Sequence, residues 1–293
     1  MSSKAALAAA LSEPMPGISP DIYGPADFRA VADLAYASAG IVLEDGKAML
    51  VYSRWAPLVR ESGCGTFSAY IDYIKNNPAE QTRAVGALTT NHTFFYREPH
   101  HFEHLAHTSR PPLVHRLQNG GGVRVWSAGC SSGEETWSIV TTMLGEDAAL
   151  GRRLAAADLR FLASDIAQHA LKKAAAATYA TTDIEAVPAA LRKAWTRTSG
   201  DMTTLSDTAR ELVRFNTLNL HGAWPMRGQF DIIFCRNVMI YFDNPTKERL
   251  ISRFAEALVP GGFLYIGHSE RVTGPAAAQL QPVGPTIYQR SAA

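Results

Sequence analysis

Between residues 25 and 77 the apolar positions recur at helical spacing. In "ADFRAVADLAYASAG" they are Phe28, Val31, Ala32, Leu34 and Ala35, with Gly40 as a stop. In "DGKAMLVYSRWAPLVRES" they are Met49, Leu50, Tyr52, Trp55 and Leu58, closed by Gly63. "TFSAYIDYIKNNP" reads as a third, short helix, started by Thr66 and stopped by Asn77-Pro78. No strand signal appears here, so residues 23–78 predict a small all-helical domain. A loose tail is expected at 1–22 and a linker at 79–90.

The period then changes. Short apolar runs, "VRVWSAG", "DLRFLASDI", "FDIIFCRNVMIYF" and "FLYIGHSE", alternate with the helical patterns "SSGEETWSIVTTML", "AQHALKKAAAATY" and "NPTKERLISRFAEALVPGG", and "PTIYQR" predicts a last strand. Alternation of this kind means βαβ units, a mostly parallel sheet and an α/β domain over residues 91–293. Ligands of such sheets bind at the carboxyl ends of the strands. That singles out Gly129 to Glu135, Asp165, Arg236 to Asn237, and Gly267 to Glu270. One segment breaks the alternation: Trp195 to Leu220 is Thr-rich, without helical period in its first half. It predicts a small antiparallel subdomain at about 193–216, turning at Ser199-Gly200.

Composition narrows the classes. A formal net charge of +1 gives no global field toward nucleic acid or anionic membrane. Three widely spaced cysteines, Cys64, Cys130 and Cys235, argue against a disulfide framework and a CxxC zinc site, and fit a reducing compartment. No apolar run approaches the ~20 residues of a membrane span, so a cytoplasmic protein, not embedded in a membrane, is expected.

The turn "VWSAGCSSGEE" lacks GxGxxG and the Walker lysine, which excludes the usual phosphate grips. A glycine turn without a phosphate cradle suits a nucleoside bearing an amino-acid tail, and Asp165 is placed to accept from ribose hydroxyls. Together these point to S-adenosylmethionine over NAD or ATP. The competing reading is an ordinary βα turn, with glycines for geometry and Asp165 as a helix cap. The stretch "TTNHTFFYREPHHFEHL" poses a second question. His100, His104 and His107 fall at i, i+4, i+7, a spacing that would suit zinc, but no acidic or cysteine partner has matching spacing, and no metal is expected. Cys130 and Cys235 read as small core residues.

In order along the chain, "NHTFFYREPHHF", "WSAGCSSGEETWSI", "FLASDI", "NLNL", "FDIIFCRNVMIYFD" and "GGFLYIGHSE" closely resemble the chemotaxis receptor methyltransferase family, CheR, over about residues 25–290. The resemblance implies a Rossmann-like S-adenosylmethionine-dependent domain, an inserted antiparallel β-subdomain and a helical N-terminal domain that binds receptor. It implies transfer of a methyl group from S-adenosylmethionine to glutamate side chains of chemoreceptors, leaving S-adenosylhomocysteine. By motif, Asn91, Thr93 and Arg97 would line the cofactor pocket, and Glu135 and Asp165 would be its acidic ligands. Asn219, Leu220, Arg236 and Asn237 would surround its adenine and methionine ends. Arg97 and Tyr241 would lie closest to the transferred methyl, with Phe94, Phe95 and Tyr96 walling the pocket. The alternative for Arg97 is a simple ion pair with Glu98 or Glu103, and for Tyr241 a core aromatic. The family's substrate is a receptor coiled coil, for which Lys47, Arg54 and Arg60 offer a basic helix surface; some members also dock a receptor C-terminal peptide on the β-subdomain. Nucleic acid is not an expected partner.

Overall fold

The computed structural model describes residues 18–292. They form two compact units: the described residues up to Thr90 with Tyr241–Asp243, and Asn91–Ile240 with Asn244 onward.

The first unit is helical. It comprises α1 (Pro25–Ala39), α2 (Ala48–Ser62), α3 (Phe67–Lys75) and α4 (Pro78–Leu88). Gly40 and Gly63 end α1 and α2 in the left-handed conformation, and Thr66 caps α3 by accepting from the Ala69 N–H. The expected linker at 79–90 is instead α4. Asn77-Pro78 stops α3 and also starts α4, with Asn77 accepting from the Glu80 N–H and Pro78 at the first helical position. Helix α4 is integral to this unit's core, where Trp55 Nε1 donates to Ala84 O at 2.8 Å and Tyr70 OH to Glu80 at 2.7 Å. Of the expected tail, residues 1–17 lie outside the described residues. Its last part is ordered: Ile22 O accepts from Phe67 N at 3.0 Å, and the buried Tyr23 ring lies 4.3 Å from that of Phe67.

The second unit is α/β. Its strands are β1 (Val123–Ala128), β2 (Leu159–Asp165), β3 (Thr178–Ala180), β4 (Thr196–Ser199), β5 (Met202–Leu205), β6 (Val213–Thr217), β7 (Phe230–Cys235), β8 (Leu258–Ile266), β9 (Leu280–Gly284) and β10 (Ile287–Arg290). Seven form one sheet in the order β6-β2-β1-β7-β8-β10-β9. From β6 to β8 all pairs are parallel, and β10 runs antiparallel to β8 and β9. Every residue of β7 is buried, as expected of a strand covered on both faces. Helix α5 (Pro99–His104) continues through a π-helical turn, Leu105–Ser109, into α6 (Arg110–Gln118). After β1 comes α7 (Glu134–Leu144), buried at all its positions. Then follow α8 (Ala148–Ala156), α9 (Gln168–Ala176), α10 (Thr181–Ile184), α11 (Ala189–Trp195), α12 (Asp207–Arg210) and α13 (Asn244–Ala257).

Three boundaries differ from the sequence reading. The antiparallel subdomain is β3-β5-β4, spanning 178–205 rather than 193–216; the return to the main sheet through "VRFNTLNL", which the sequence also implies, is β6. Strand β3 hides at the end of an alanine-rich helix, where Ala177 adopts φ 53° and reverses the chain. Helix α13 ends at Ala257, so "LVPGG" at the end of the expected helical pattern belongs to β8.

Candidate active site

Strand β1 lies between β2 and β7, and the chain leaves it first toward one and later toward the other. A doubly wound sheet opens its ligand crevice at such a reversal of strand order, at the carboxyl ends. Three loops are bolted together there. After β1, the Gly129 and Cys130 N–H groups donate to Ser164 O at 2.7 and 2.9 Å. Ser131 N donates to Asp165 Oδ2 at 2.8 Å, while Asp165 Oδ1 accepts from Ala167 N at 2.8 Å. Asp165 is therefore both a strand-end acid and a loop cap, and burial pushes its carboxyl above the ordinary value. Gly129 has φ 81°, and a Cβ there would lie 2.3 Å from Val238 Cγ2, so this glycine serves a close approach.

Glu135 stands in the first turn of α7, where the helix N-terminus favours negative charge. Its Oε1 accepts from Ser127 Oγ at 2.8 Å and its Oε2 faces Arg236 Nη1 at 3.3 Å. Burial raises its pKa, and the Arg236 guanidinium opposes that rise. Arg236 is itself buried. It pairs with Glu98 Oε2 at 3.3 Å, donates to Arg97 O and lies 5.7 Å over the Phe102 ring, while its Nε has no hydrogen-bond partner. Asn237 follows at φ 59°, its N–H donating to Glu270 Oε2 at 3.2 Å. Glu270 also accepts from Gly267 N at 2.6 Å and Met239 N at 2.8 Å, tying the end of β8 to the end of β7. On the other flank, Leu218 N donates to Asp165 O at 3.0 Å, bringing Asn219 and Leu220 beside β2. Arg253 then fixes the Leu220 and Gly222 carbonyls at 2.6 and 2.7 Å.

The segment from Asn91 to Glu98 is clamped onto α7. Tyr96 N donates to Ser138 Oγ at 3.1 Å, its hydroxyl bonds Thr142 Oγ1 at 2.8 Å, and Asn91 O accepts from Ser131 Oγ at 3.1 Å. Thr93 is half-buried within this segment. Arg97 pairs with neither Glu98 nor Glu103. Its Nη1 donates to His92 O at 3.1 Å and its guanidinium lies 5.7 Å over the Phe94 ring. The three aromatics do not act together as a wall: Phe94 is half exposed, Phe95 is packed edge-on against Tyr179 in the core, and Tyr96 is the anchor to α7. Tyr241 belongs with the helical unit, its hydroxyl 3.5 Å from Thr90 O and its carbonyl accepting from Val42 N at 2.9 Å.

The histidines do not form the helical triple. His104 Nδ1 bonds Tyr265 OH at 2.9 Å and His100 Nε2 donates to Pro285 O at 3.2 Å. Glu98, His100 and His101 do gather within 4.8 Å. Arg236 already supplies the positive charge at Glu98, and burial, then Arg236, hold the His101 pKa down at about 3. The cluster is thus an ion-pair network closed by a neutral imidazole. Cys130 and Cys235 are buried, with thiol pKa values pushed up by burial, as suits core residues.

Glu270 stands out in the sequence only as the end of the strand-end segment Gly267 to Glu270, and Glu98 only as a possible ion-pair partner for Arg97; the pattern assigns neither a role in the site. With Glu135 and Asp165 they place four carboxylates at the strand ends, against the guanidiniums of Arg97 and Arg236. That excess of negative charge, and the unpartnered Arg236 Nε, suit a zwitterionic ligand carrying an extra cation. S-adenosylmethionine is one, with its sulfonium, ammonium and carboxylate. The fold and these residues define an S-adenosylmethionine-dependent methyltransferase.

Comparison with known proteins agrees. Residues 91–288 match the SAM binding domain of the CheR methyltransferases and residues 26–89 match their all-alpha domain. The chain belongs to the CheR methyltransferase family. It is 42% identical over 262 residues to a probable chemotaxis protein methyltransferase of Rhizobium etli, covering 87% of this chain and 96% of that one. It is 39% identical to chemotaxis protein methyltransferase 2 of Pseudomonas aeruginosa, over 89% and 92% of the two chains. A chemotaxis protein methyltransferase of Klebsiella aerogenes is 42% identical over 84% of this chain and 83% of its own. No helix among the described residues is long and apolar enough to cross a membrane.

Proposed function

We propose that this methyltransferase esterifies glutamate side chains of bacterial chemoreceptors, acting in the cytoplasm as a protein-glutamate O-methyltransferase. The observation that carries the reading is Arg97: a guanidinium held by a main-chain carbonyl and an aromatic face, and in no ion pair with a carboxylate among the described residues. Bound S-adenosylmethionine supplies an activated methyl and its own leaving group. A substrate glutamate, with an ordinary pKa of about 4.3, is already the nucleophile at neutral pH, so no general base is required. What the protein adds is placement and exclusion of water. Arg97 orients one carboxylate oxygen with directional donors and leaves the other to react. Asp165 receives the ribose hydroxyls and Glu135 the cationic end of the cofactor. Asn91, Thr93, Asn219, Leu220, Arg236 and Asn237 complete the pocket, and Tyr241 adds a hydroxyl by resemblance to the family.

The receptor's coiled-coil methylation region is the expected partner, with Lys47, Arg54 and Arg60 of the helical unit meeting its acids. A groove of about 670 Å³ runs beside the edge strand β4, lined by Arg192, Lys193, Thr196 and Thr198 among others, and suits an added peptide strand such as a receptor tail. Incubation with tritiated S-adenosylmethionine and receptor-rich membranes is expected to give base-labile methyl esters. Stable label in nucleic acid, or cofactor binding without transfer, would refute the assignment. Arg97→Ala is expected to keep S-adenosylhomocysteine binding and lose transfer by roughly 10²-fold or more. Tyr241→Phe removes one hydroxyl and is expected to lower kcat by about tenfold. Unchanged turnover in either variant overturns that residue's role.

A further inference from the structure

We propose that Glu98 is the positioning residue for Arg97, a role that rests on the reading of Arg97 given above. The backbone states the problem. Arg97 lies between Tyr96 at φ 55° and Glu98 at φ 59°, two non-glycine residues in the left-handed region. Each such residue is strained and persists only where its surroundings hold it. On one side the hold is Tyr96, bonded through its N–H and its hydroxyl to Ser138 and Thr142 of α7. On the other side it is the Glu98 carboxylate. Oε1 accepts from both the N–H and Nδ1 of His268, at 3.3 and 3.0 Å, on the loop after β8. Oε2 pairs with Arg236 Nη2 at 3.3 Å, on the loop after β7. That same Nη2 donates to the Arg97 carbonyl, and Nη1 of Arg236 reaches Glu135 Oε2 at 3.3 Å on α7. One carboxylate therefore ties the bend carrying Arg97 to the ends of two central strands and, through Arg236, to α7. Behind it stands His101, buried and neutral. Thr286 Oγ1 donates to Pro285 O, so it accepts from His101 Nε2–H at 2.9 Å, which leaves Nδ1 bare at 3.5 Å from Oε2. His101 in that state gives Glu98 no proton, so the carboxylate's hold falls to Arg236 and His268.

Without that charge Arg236 loses one of its two carboxylate partners and the bend relaxes. A displacement of about 1 Å at a group that orients a reactant can cost on the order of 10²-fold in rate. The test uses the full chain, tritiated S-adenosylmethionine, receptor-rich membranes, and separate calorimetric titration with S-adenosylhomocysteine. Glu98→Gln is expected to lower kcat by roughly tenfold or more, with the dissociation constant changed less than about threefold and the unfolding midpoint by less than about 4 °C. Glu98→Asp keeps the charge but loses reach, and is expected to fall in between. His268→Ala removes a largely exposed imidazole and leaves its N–H bond, and should cost only about two- to fivefold. A Glu98→Gln kcat within about twofold of wild type overturns the proposal. So does a fall in kcat that merely tracks lost ligand affinity and a lower midpoint, the mark of general structural support. Should Glu98→Gln fold poorly, Glu98→Asp and His268→Ala carry the same test. Arg97→Ala is run alongside: full turnover in that variant removes the reading of Arg97 and Glu98 with it, whereas its loss beside an active Glu98→Gln removes Glu98 alone.

Discussion

Replacing Arg236 with methionine should destabilise the catalytic unit in a strongly pH-dependent way. The guanidinium is 1% exposed and faces two carboxylates, Glu135 and Glu98, each at 3.3 Å and each 11% exposed at its side chain. Methionine approximates the length of the buried stem, so little packing is lost, but both acids keep their burial and lose their counter-charge. Removing one partner of a buried pair costs about 3–5 kcal/mol. At about 2–4 °C per kcal/mol for a unit of this size, the midpoint near pH 8 should drop by about 6–20 °C. The sign with pH follows from the two acids. In the native protein Glu135 is already raised above its ordinary value of 4.5 by burial, with Arg236 opposing, while burial of Glu98 is outweighed by Arg236 and His268, which hold it low. Without Arg236 both carboxyls rise. A carboxyl whose folded pKa is raised takes up its proton first in the folded state, so the deficit is largest at high pH and shrinks as pH falls toward the ordinary carboxylate range. Each unit of upward shift returns about 1.4 kcal/mol once the group is protonated. Urea unfolding of wild type and variant at roughly pH 8 and pH 5.5 measures the two deficits. A deficit equal at both pH values, or below about 1 kcal/mol near pH 8, would refute this account of the network.

Two shorter predictions concern the cofactor crevice. Asp165→Asn keeps the side-chain shape, and its Oδ1 can still cap Ala167 N, but it turns an acceptor toward Ser131 N into a donor; S-adenosylhomocysteine affinity should weaken by roughly 10–100-fold in calorimetry, and a change below about twofold would free Asp165 from the cofactor. Gly129→Ala forces a Cβ to 2.3 Å from Val238 in a residue at φ 81°, so it should cost about 2–4 kcal/mol in urea unfolding, and Val238→Ala should restore part of that loss.

The sheet was legible because its central strands are short, largely apolar runs alternating with helical patterns, and each run ends in the loop that matters. The errors fell where one residue type serves two neighbours. Asn77-Pro78 reads as a stop, and it is one, but the same pair caps and begins α4, so a helix stands where the pattern reads as a linker. The alanine-rich α9 conceals β3, because alanine carries no period and the reversal at Ala177 uses a left-handed residue that is not glycine. The adjacent aromatics of "TFFYRE" read from the sequence as one wall. In the fold Phe94 is half exposed, Phe95 lies in the core, and Tyr96, at φ 55°, bonds α7.

What pattern could not show at all is where backbone strain collects. Six described non-glycine residues have positive φ, and four of them, Tyr96, Glu98, Ser131 and Asn237, lie in the segments that meet at the crevice. None is a residue type that advertises the conformation as glycine does, apart from Asn237. Each is held by a contact from another segment: Tyr96 by α7, Glu98 by Arg236 and His268, Ser131 by Asp165, Asn237 by Glu270. Three of these four holds involve a buried or half-buried carboxylate. The acids of this crevice therefore serve two ends at once. They fasten the strained loops of the crevice, and under the proposed function they also provide the negative surroundings a sulfonium requires. A substitution that neutralises one should disturb both binding and placement, in a ratio that depends on whether its carboxylate faces the cofactor, as proposed for Asp165 and Glu135, or the backbone, as for Glu98 and Glu270.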